Sequence, residues 1–173
     1  MTISRRRLLA GGIAAGAALA VAGMIYEWSP DSTSADPFFR FTVLDDEDRA
    51  IVAAIAPVLL AGALPSRDAI EQVVRGTDVA IVGLPLSVRA EIRQLFGVLR
   101  FPPSRMLAAG IWHPWHSATE AEIGQFLQRW RYSGIVQLRS AYDALHQLLM
   151  AAWYGNGESW SAIGYSGPPR VHE

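Results

Sequence analysis

The sequence contains no cysteine and no lysine. Without cysteine it has no disulfide, no thiolate metal site, no covalently attached c-type haem and no cysteine nucleophile. Its 173 residues are enough for one domain that buries a sizeable core without such cross-links. These absences exclude much redox chemistry from this chain itself.

Positive charge comes from fifteen arginines, three of which stand together at Arg5, Arg6 and Arg7. The rest of the chain contains twelve arginines and sixteen acidic residues, so its formal charge is −4. Nucleic-acid binding needs a basic surface that neutralises phosphates. The charge balance therefore argues against a nucleic-acid partner.

Familiar catalytic and cofactor-binding motifs are missing too. The sequence has no glycine-rich nucleotide loop and no G-x-S-x-G serine elbow. His113 and His116 are close in sequence, but Pro114 prevents a regular helix through them, so packed or surface histidines are favoured over a metal site. The acidic run at 45–48 is more typical of a helix start than of a calcium or catalytic site. We therefore predict no catalytic, cofactor-binding or metal-binding residue, with a pocket near His113 and His116 as the alternative.

Residues 1–25 have the form of an export signal, with a cationic start and an uncharged stretch at 8–25. A twin-arginine pattern consists of a small polar residue, two arginines, any residue and two apolar residues. Here it is matched by Ser4, Arg5, Arg6, Leu8 and Leu9. Glycines make the stretch less hydrophobic than a typical membrane-spanning helix, although an uncut anchor is the open alternative. The twin-arginine route carries folded proteins, mostly where a cofactor has to be inserted first, so the pattern predicts a periplasmic destination.

After a polar linker at 26–37, residues 38–173 are predicted to form a single all-α domain, a compact bundle of about five helices. Apolar residues recur at helical spacing, and no segment of useful length alternates as a strand does. Helix starts are predicted at Asp45, Ser66 and Ser87, with a short helical turn at 104–109. A fourth helix is predicted to start at one of two capping boxes, Ser117 with Glu120 or Thr119 with Glu122, and a fifth is predicted to be closed by Gly155. The inward faces are predicted to consist of Ile51, Ala54, Ile55, Val58, Leu59, Ile70, Val73, Val74, Ile81, Val88, Ile92, Leu95, Phe96, Leu99, Ile123, Phe126, Leu127, Trp130, Ile135, Leu138, Tyr142, Leu145, Leu149 and Ala152.

The C-terminal stretch at 153–170 differs from the rest, because it is rich in glycine, proline and aromatic residues. It is predicted to be too irregular for a helix and too aromatic for a disordered end. Either it folds back over the helices or its aromatic side chains anchor another protein, since Trp, Tyr and Arg are enriched at interfaces. The candidate interface residues are Trp112, Trp115, Trp153, Tyr154, Trp160, Tyr165 and Arg170.

These features together resemble the gluconate 2-dehydrogenase subunit 3 family. The resemblance is carried by the twin-arginine leader, the Ile55-Ala56-Pro57 segment, Trp130, Arg139, Tyr142, Trp153-Tyr154-Gly155-Asn156, Trp160 and the ending Ile163-Gly164-Tyr165-Ser166-Gly167-Pro168-Pro169. It is most specific at the leader and at that ending. It implies a small gamma subunit of a periplasmic dehydrogenase, whose large glucose-methanol-choline oxidoreductase subunit holds FAD and lacks an export signal of its own.

The same resemblance implies that the small subunit assists maturation of the large one, and that a multihaem cytochrome c often takes the electrons. This chain has an export signal for folded proteins but no evident cofactor site. The combination is explained if the cofactor belongs to a partner that is exported together with this chain. We therefore predict a non-catalytic accessory subunit in the periplasm, with attachment to the inner membrane left open. The alternatives are a stand-alone enzyme or ligand-binding protein and a membrane-anchored structural protein.

Overall fold

The computed structural model describes residues 39–162 and 164, so the leader and the linker lie outside the described residues. Within this part the chain is all-α and has no strand, which confirms the predicted fold class. In chain order the elements are α1 Asp46–Leu59, α2 Asp68–Gly83, α3 Leu86–Arg100, α4 Pro102–Ala109, a 3-10 turn Trp115–Ser117, α5 Glu120–Arg131, α6 Val136–Tyr154 and α7 Gly157–Ala162.

Helix α1 lies at the centre of the bundle and contacts α2, α3, α5, α6 and the 3-10 turn. Its Ile51 and Ile55 side chains are fully buried. The most extensive pairing is between α2 and α6, whereas α3 packs chiefly against α4 and α1. The predicted inward residues are buried on α5, over the second half of α6 and, except for the half-buried Ile70, on α2. On α1 only Ile51 and Ile55 are buried, and the other three predicted positions are half-buried against the core: Ala54, Val58 and Leu59. Helical periodicity therefore identified much of the core.

Local capping chemistry fixes two of the helix starts. Asp45 accepts a hydrogen bond from the Asp48 backbone N–H at 2.9 Å and caps α1, as its position predicts. Of the two capping boxes that the sequence allows, the structure forms the one between Thr119 and Glu122. The prediction for Ser66 is wrong, because α2 begins at Asp68 and its first turn has no side-chain cap.

A strap at residues 39–45 runs along α2 and leads into α1. The Asp78 carboxylate of α2 accepts hydrogen bonds from the backbone N–H groups of Thr42 at 2.9 Å, Val43 at 2.9 Å and Leu44 at 2.8 Å. Asp78 is only 1% exposed, so these donors replace the water that its carboxylate would otherwise bind. This strap is where residues 1–38 join the folded domain.

The C-terminal stretch corrects a prediction. Trp153 and Tyr154 form the last turn of α6, and α7 follows at Gly157–Ala162, so the stretch is helical up to residue 162 and not irregular throughout. Asn156 sets the junction, because its side-chain amide donates to Gln72 Oε1 at 3.0 Å while its carbonyl accepts from Ser159. Residues 165–173, including Tyr165 and Arg170, lie outside the described residues.

Candidate functional site

Three large apolar side chains are exposed on or beside α4. Leu107 is 90% exposed, Trp112 is 73% exposed and Phe101 is 60% exposed. We call these three residues the α4 patch. Scattered apolar residues are normal on a protein surface, but large ones grouped around a single eight-residue helix are typical of an interaction surface.

Helix α4 is held firmly in place beneath this patch. It starts directly at Pro102, and Gly110 ends it in a left-handed conformation with φ of 67°. Two side chains of α5 donate hydrogen bonds to the end of α4. The Trp130 indole N–H donates to the Ala108 carbonyl at 2.8 Å, and the Arg129 guanidinium donates to the Ala109 carbonyl. The patch is therefore presented by a helix whose terminal carbonyls are satisfied.

A second exposed apolar group lies where α5 turns into α6. Tyr132 is 71% exposed, Ile135 is 56% exposed and Val136 is 47% exposed. We call these residues the α5–α6 corner. The inward position predicted for Ile135 is wrong, because this residue is the N-cap of α6 and precedes the face that packs on the bundle.

An apolar cleft with a volume of about 230 Å³ lies between α3 and α6. Its lining includes Ala108, next to Leu107 in the chain, and Gln137, next to Val136. Most of the lining is apolar and comes from α3 and α6.

The structure separates the predicted interface residues. Trp112 is 73% exposed and stays a candidate interface residue, whereas Trp115 and Trp153 are only 4% and 2% exposed. The prediction that these two serve as surface anchors is wrong for the folded chain. The Trp115 indole donates to the Leu99 carbonyl at 2.9 Å and its ring lies edge-on to Phe126 at 6.0 Å, so it fills the chain's own core.

The remaining predicted interface residues lie around the end of α6. Tyr154 and Trp160 are half-buried, and the Trp160 indole donates to the Tyr154 carbonyl at 2.8 Å. This contact favours the alternative in which the aromatic stretch folds back on its own chain, at least as far as Trp160. Tyr165, Arg170 and the export residues Ser4, Arg5, Arg6, Leu8 and Leu9 are not among the described residues.

The histidine segment plays a structural part in this fold. His113 Nε2 lies 3.0 Å from Glu122 Oε1, and His116 is exposed in the 3-10 turn. Hydrogen bonds from the Thr119 backbone and hydroxyl, and then from His113, lower the pKa of Glu122 to about 2. The Glu122 carboxylate therefore stays ionised down to about pH 2. Its contribution to stability is complete above the ordinary pKa of 4.5 and is lost as the pH falls from 4.5 to about 2. Among the described residues no group of three His, Cys, Asp or Glu could hold a metal ion.

Charged groups tie the start of α1 to the end of α3. Arg100, the last residue of α3, pairs with Asp45 and lies 4.0 Å from Glu47. Burial, and next the Asp45 carboxylate, raise the pKa of Asp48. The Arg100 pair fixes the chain immediately before Phe101, the first residue of the α4 patch.

Comparison with known proteins adds no relative, since no family model, curated protein or solved structure matches this chain. Within residues 39–162 and 164, no helix has both the length and the apolar character needed to cross a membrane.

Proposed function

We propose that this chain is a non-catalytic accessory subunit that binds a partner enzyme and carries it through twin-arginine export to the periplasm. The observation that carries the proposal is the combination of a leader for folded proteins with a domain that exposes Leu107, Trp112 and Phe101. Large apolar side chains on a rigid helix are what the centre of a stable protein interface requires. The α4 patch is the docking surface in this proposal.

The chemistry of the partner follows from the resemblance of the leader and the C-terminal sequence to the gluconate 2-dehydrogenase subunit 3 family. The partner is an FAD-containing glucose-methanol-choline oxidoreductase without its own export signal. FAD belongs to that partner, and a multihaem cytochrome c is the further partner that accepts electrons. The complex resides in the periplasm, with contact to the inner membrane through the leader or through the complex.

Export is tested by changing Arg5 and Arg6 to lysine in cells that make the complex. We expect both this chain and the co-purifying large chain to stay in the cytoplasm, because the twin-arginine pattern needs both arginines. Arg7→Lys is the matched control, since Arg7 occupies the variable position of the pattern and retains its charge. A large chain that still reaches the periplasm in the double variant contradicts the export role.

Docking is tested by Leu107→Glu in a chain with a C-terminal tag. Wild-type chain is expected to retain a large second chain with a flavin absorption spectrum, and the variant is expected to retain at least about ten-fold less because a charge enters the interface core. The thermal unfolding midpoint should not change, since Leu107 is 90% exposed.

The control for docking is Leu86→Glu. Leu86 is 76% exposed but begins α3, about 20 Å along that helix from the patch. This control should retain the flavin chain at the wild-type level. Equal loss in both variants would show that a general surface charge, and not the α4 patch, disturbs the complex. A colourless wild-type monomer would overturn the subunit proposal itself.

A further inference from the structure

The apolar cleft exists because α3 and α6 do not close on each other. Helix α3 packs chiefly against α4 and α1, and α6 packs chiefly against α2 and α5. Val88 and Leu95 of α3 and Leu138 of α6 occupy inward helical positions, yet each is only half-buried. These three side chains line the space between the helices. The bundle thus lacks the packing that their sequence pattern predicts.

Small side chains keep the cleft open on its α6 side. Ala141 and Ala144 line this wall, and Ala108 of α4 lines the cleft beside Trp130 of α5. The Trp130 indole N–H is already donated to the Ala108 carbonyl at 2.8 Å, so it is not available to a ligand. An occupant would therefore meet mainly apolar surface from Trp130, Leu95 and Leu138.

Polar side chains in the lining are Glu91, Gln94 and Gln137. Gln94 and Gln137 are exposed, and Glu91 is half-buried. The side-chain amides of Gln94 and Gln137 can form hydrogen bonds with a polar substituent of a ligand. The Glu91 carboxylate repels an anionic ligand. The cleft thus combines an apolar interior with polar side chains that are accessible to water, which is the usual chemistry of a small-molecule site.

The dimensions favour a compact ligand over a protein segment. The cleft lining extends from Val88 to Val98 on α3 and from Gln137 to Ala144 on α6, which is about 15 Å and about 10 Å of helix. On α6 the lining ends at Ala144, so the cleft covers less than half of this helix, which runs from Val136 to Tyr154. An apolar cavity of about 150 Å³ accommodates benzene, so this larger one has room for two fused rings.

We propose that this cleft binds an uncharged, apolar bicyclic ring compound, with any hydrogen-bonding substituent held by Gln94 or Gln137. The site is separate from the α4 patch and goes beyond the proposed docking function. Binding needs neither the partner enzyme nor the leader.

The probe is 6-propionyl-2-(dimethylamino)naphthalene, an uncharged compound with two fused rings and a carbonyl substituent, whose fluorescence shifts to the blue in apolar surroundings. Titrated into the full-length chain, it should give a saturable, blue-shifted signal with one site per chain. Naphthalene-1-sulfonate should compete at least about ten-fold more weakly than naphthalene, because its charge meets Glu91 and must leave water.

Ala141→Leu should weaken binding of the probe at least ten-fold, because the added side chain occupies the cleft. Ala144→Ile is the second filling variant if the first does not fold. Ala90→Leu adds the same group at an exposed position of α3 outside the lining and should bind the probe as wild type does. Thermal unfolding of each variant verifies that the fold is retained.

Three results would overturn the proposal. The first is the absence of saturable binding to the wild-type chain. The second is an equal effect of Ala141→Leu and Ala90→Leu. The third is a wild-type dimer that binds the probe only on dilution, because a second copy of the chain would then be what covers the cleft.

Discussion

Replacing Asp78 by alanine is expected to lower the free energy of unfolding by about 2 to 3 kcal/mol. The buried N–H of Leu44 is left without a partner, which costs about 1 to 3 kcal/mol, whereas the part-buried N–H groups of Thr42 and Val43 can still reach water. The Asp78 carboxylate accepts three backbone N–H groups from the strap at distances of 2.8 to 2.9 Å. Alanine removes the acceptor and leaves those donors beside a cavity. Denaturant unfolding followed by circular dichroism measures the loss.

Hydrogen exchange shows where that stability is lost. In the Asp78→Ala chain the amides of Thr42, Val43 and Leu44 should exchange much faster, while amides in the middle of α6 stay protected at the level that the remaining global stability allows. Asp143→Ala is the control, because Asp143 is an exposed acid on α6, and its effect should stay within about 0.5 kcal/mol. An Asp78→Ala chain as stable as this control would contradict the anchoring role of the carboxylate.

Asp78 could have been noticed in the sequence, but its partners could not. It lies four residues after Val74 and three before Ile81, on the buried face of α2, where an acid is unusual. That position signals a paired or functional carboxylate. The groups it binds are backbone amides 34 to 36 residues earlier in the chain, and no side-chain pattern identifies them.

The predictions that held best concern interactions within a few residues. Asp45 and the Thr119–Glu122 box are fixed by spacing of three residues, which the sequence displays directly. Helix faces follow from a period of 3.6 residues, and the predicted residues are buried throughout on α5 and, except for Ile70, on α2. On α1 three of the five predicted positions are half-buried, because they lie at the edge of the face that packs on the core. The prediction that Ser66 caps α2 is wrong, because a serine that precedes an apolar repeat can occupy either a helix cap or an ordinary turn.

The exposure of each tryptophan depends on parts of the chain that are distant in sequence. Trp115 and Trp130 are buried against Phe126, and their indole N–H groups donate to the carbonyls of Leu99 and Ala108. Trp112 is three residues from Trp115 and is 73% exposed. Both residues are tryptophans followed by a histidine in the same short segment. The sequence therefore predicts both as interface candidates and does not distinguish the exposed one from the buried one.

The cleft could not be predicted for a related reason. Periodicity places Val88, Leu95 and Leu138 on inward faces, but it does not say which helices meet. The short connection at Phe101 commits α3 to packing with α4, and the long pairing of α2 with α6 holds α6 away from it. The space between α3 and α6 is a property of how helices are arranged, which one sequence does not specify.

Replacing Gly76 by alanine is expected to destabilise the protein by about 2 to 3 kcal/mol, which is typical of overpacking in a close-packed core. A Cβ atom at this position would lie 2.7 Å from the Ala152 carbonyl oxygen and 3.3 Å from the Ala152 Cα. Both atoms belong to the α6 backbone, which cannot move aside as a flexible side chain can. The substitution therefore forces α2 away from α6 at the most extensive contact of the bundle.

Gly97→Ala provides a control of opposite sign. Gly97 lies within α3, and a Cβ there would have no neighbouring atom within 4 Å. Alanine is preferred to glycine inside a helix by about 1 kcal/mol, so this variant should unfold at a higher denaturant concentration than wild type. Gly76→Ala adds the same methyl group with the same gain in helix propensity and should unfold at a lower one. If both variants were stabilised, the close approach of α2 and α6 at Gly76 would be wrong. Opposite shifts of the two denaturation midpoints would establish why position 76 is a glycine. The reason would be the close packing of α2 on α6, and not a backbone conformation that only glycine adopts.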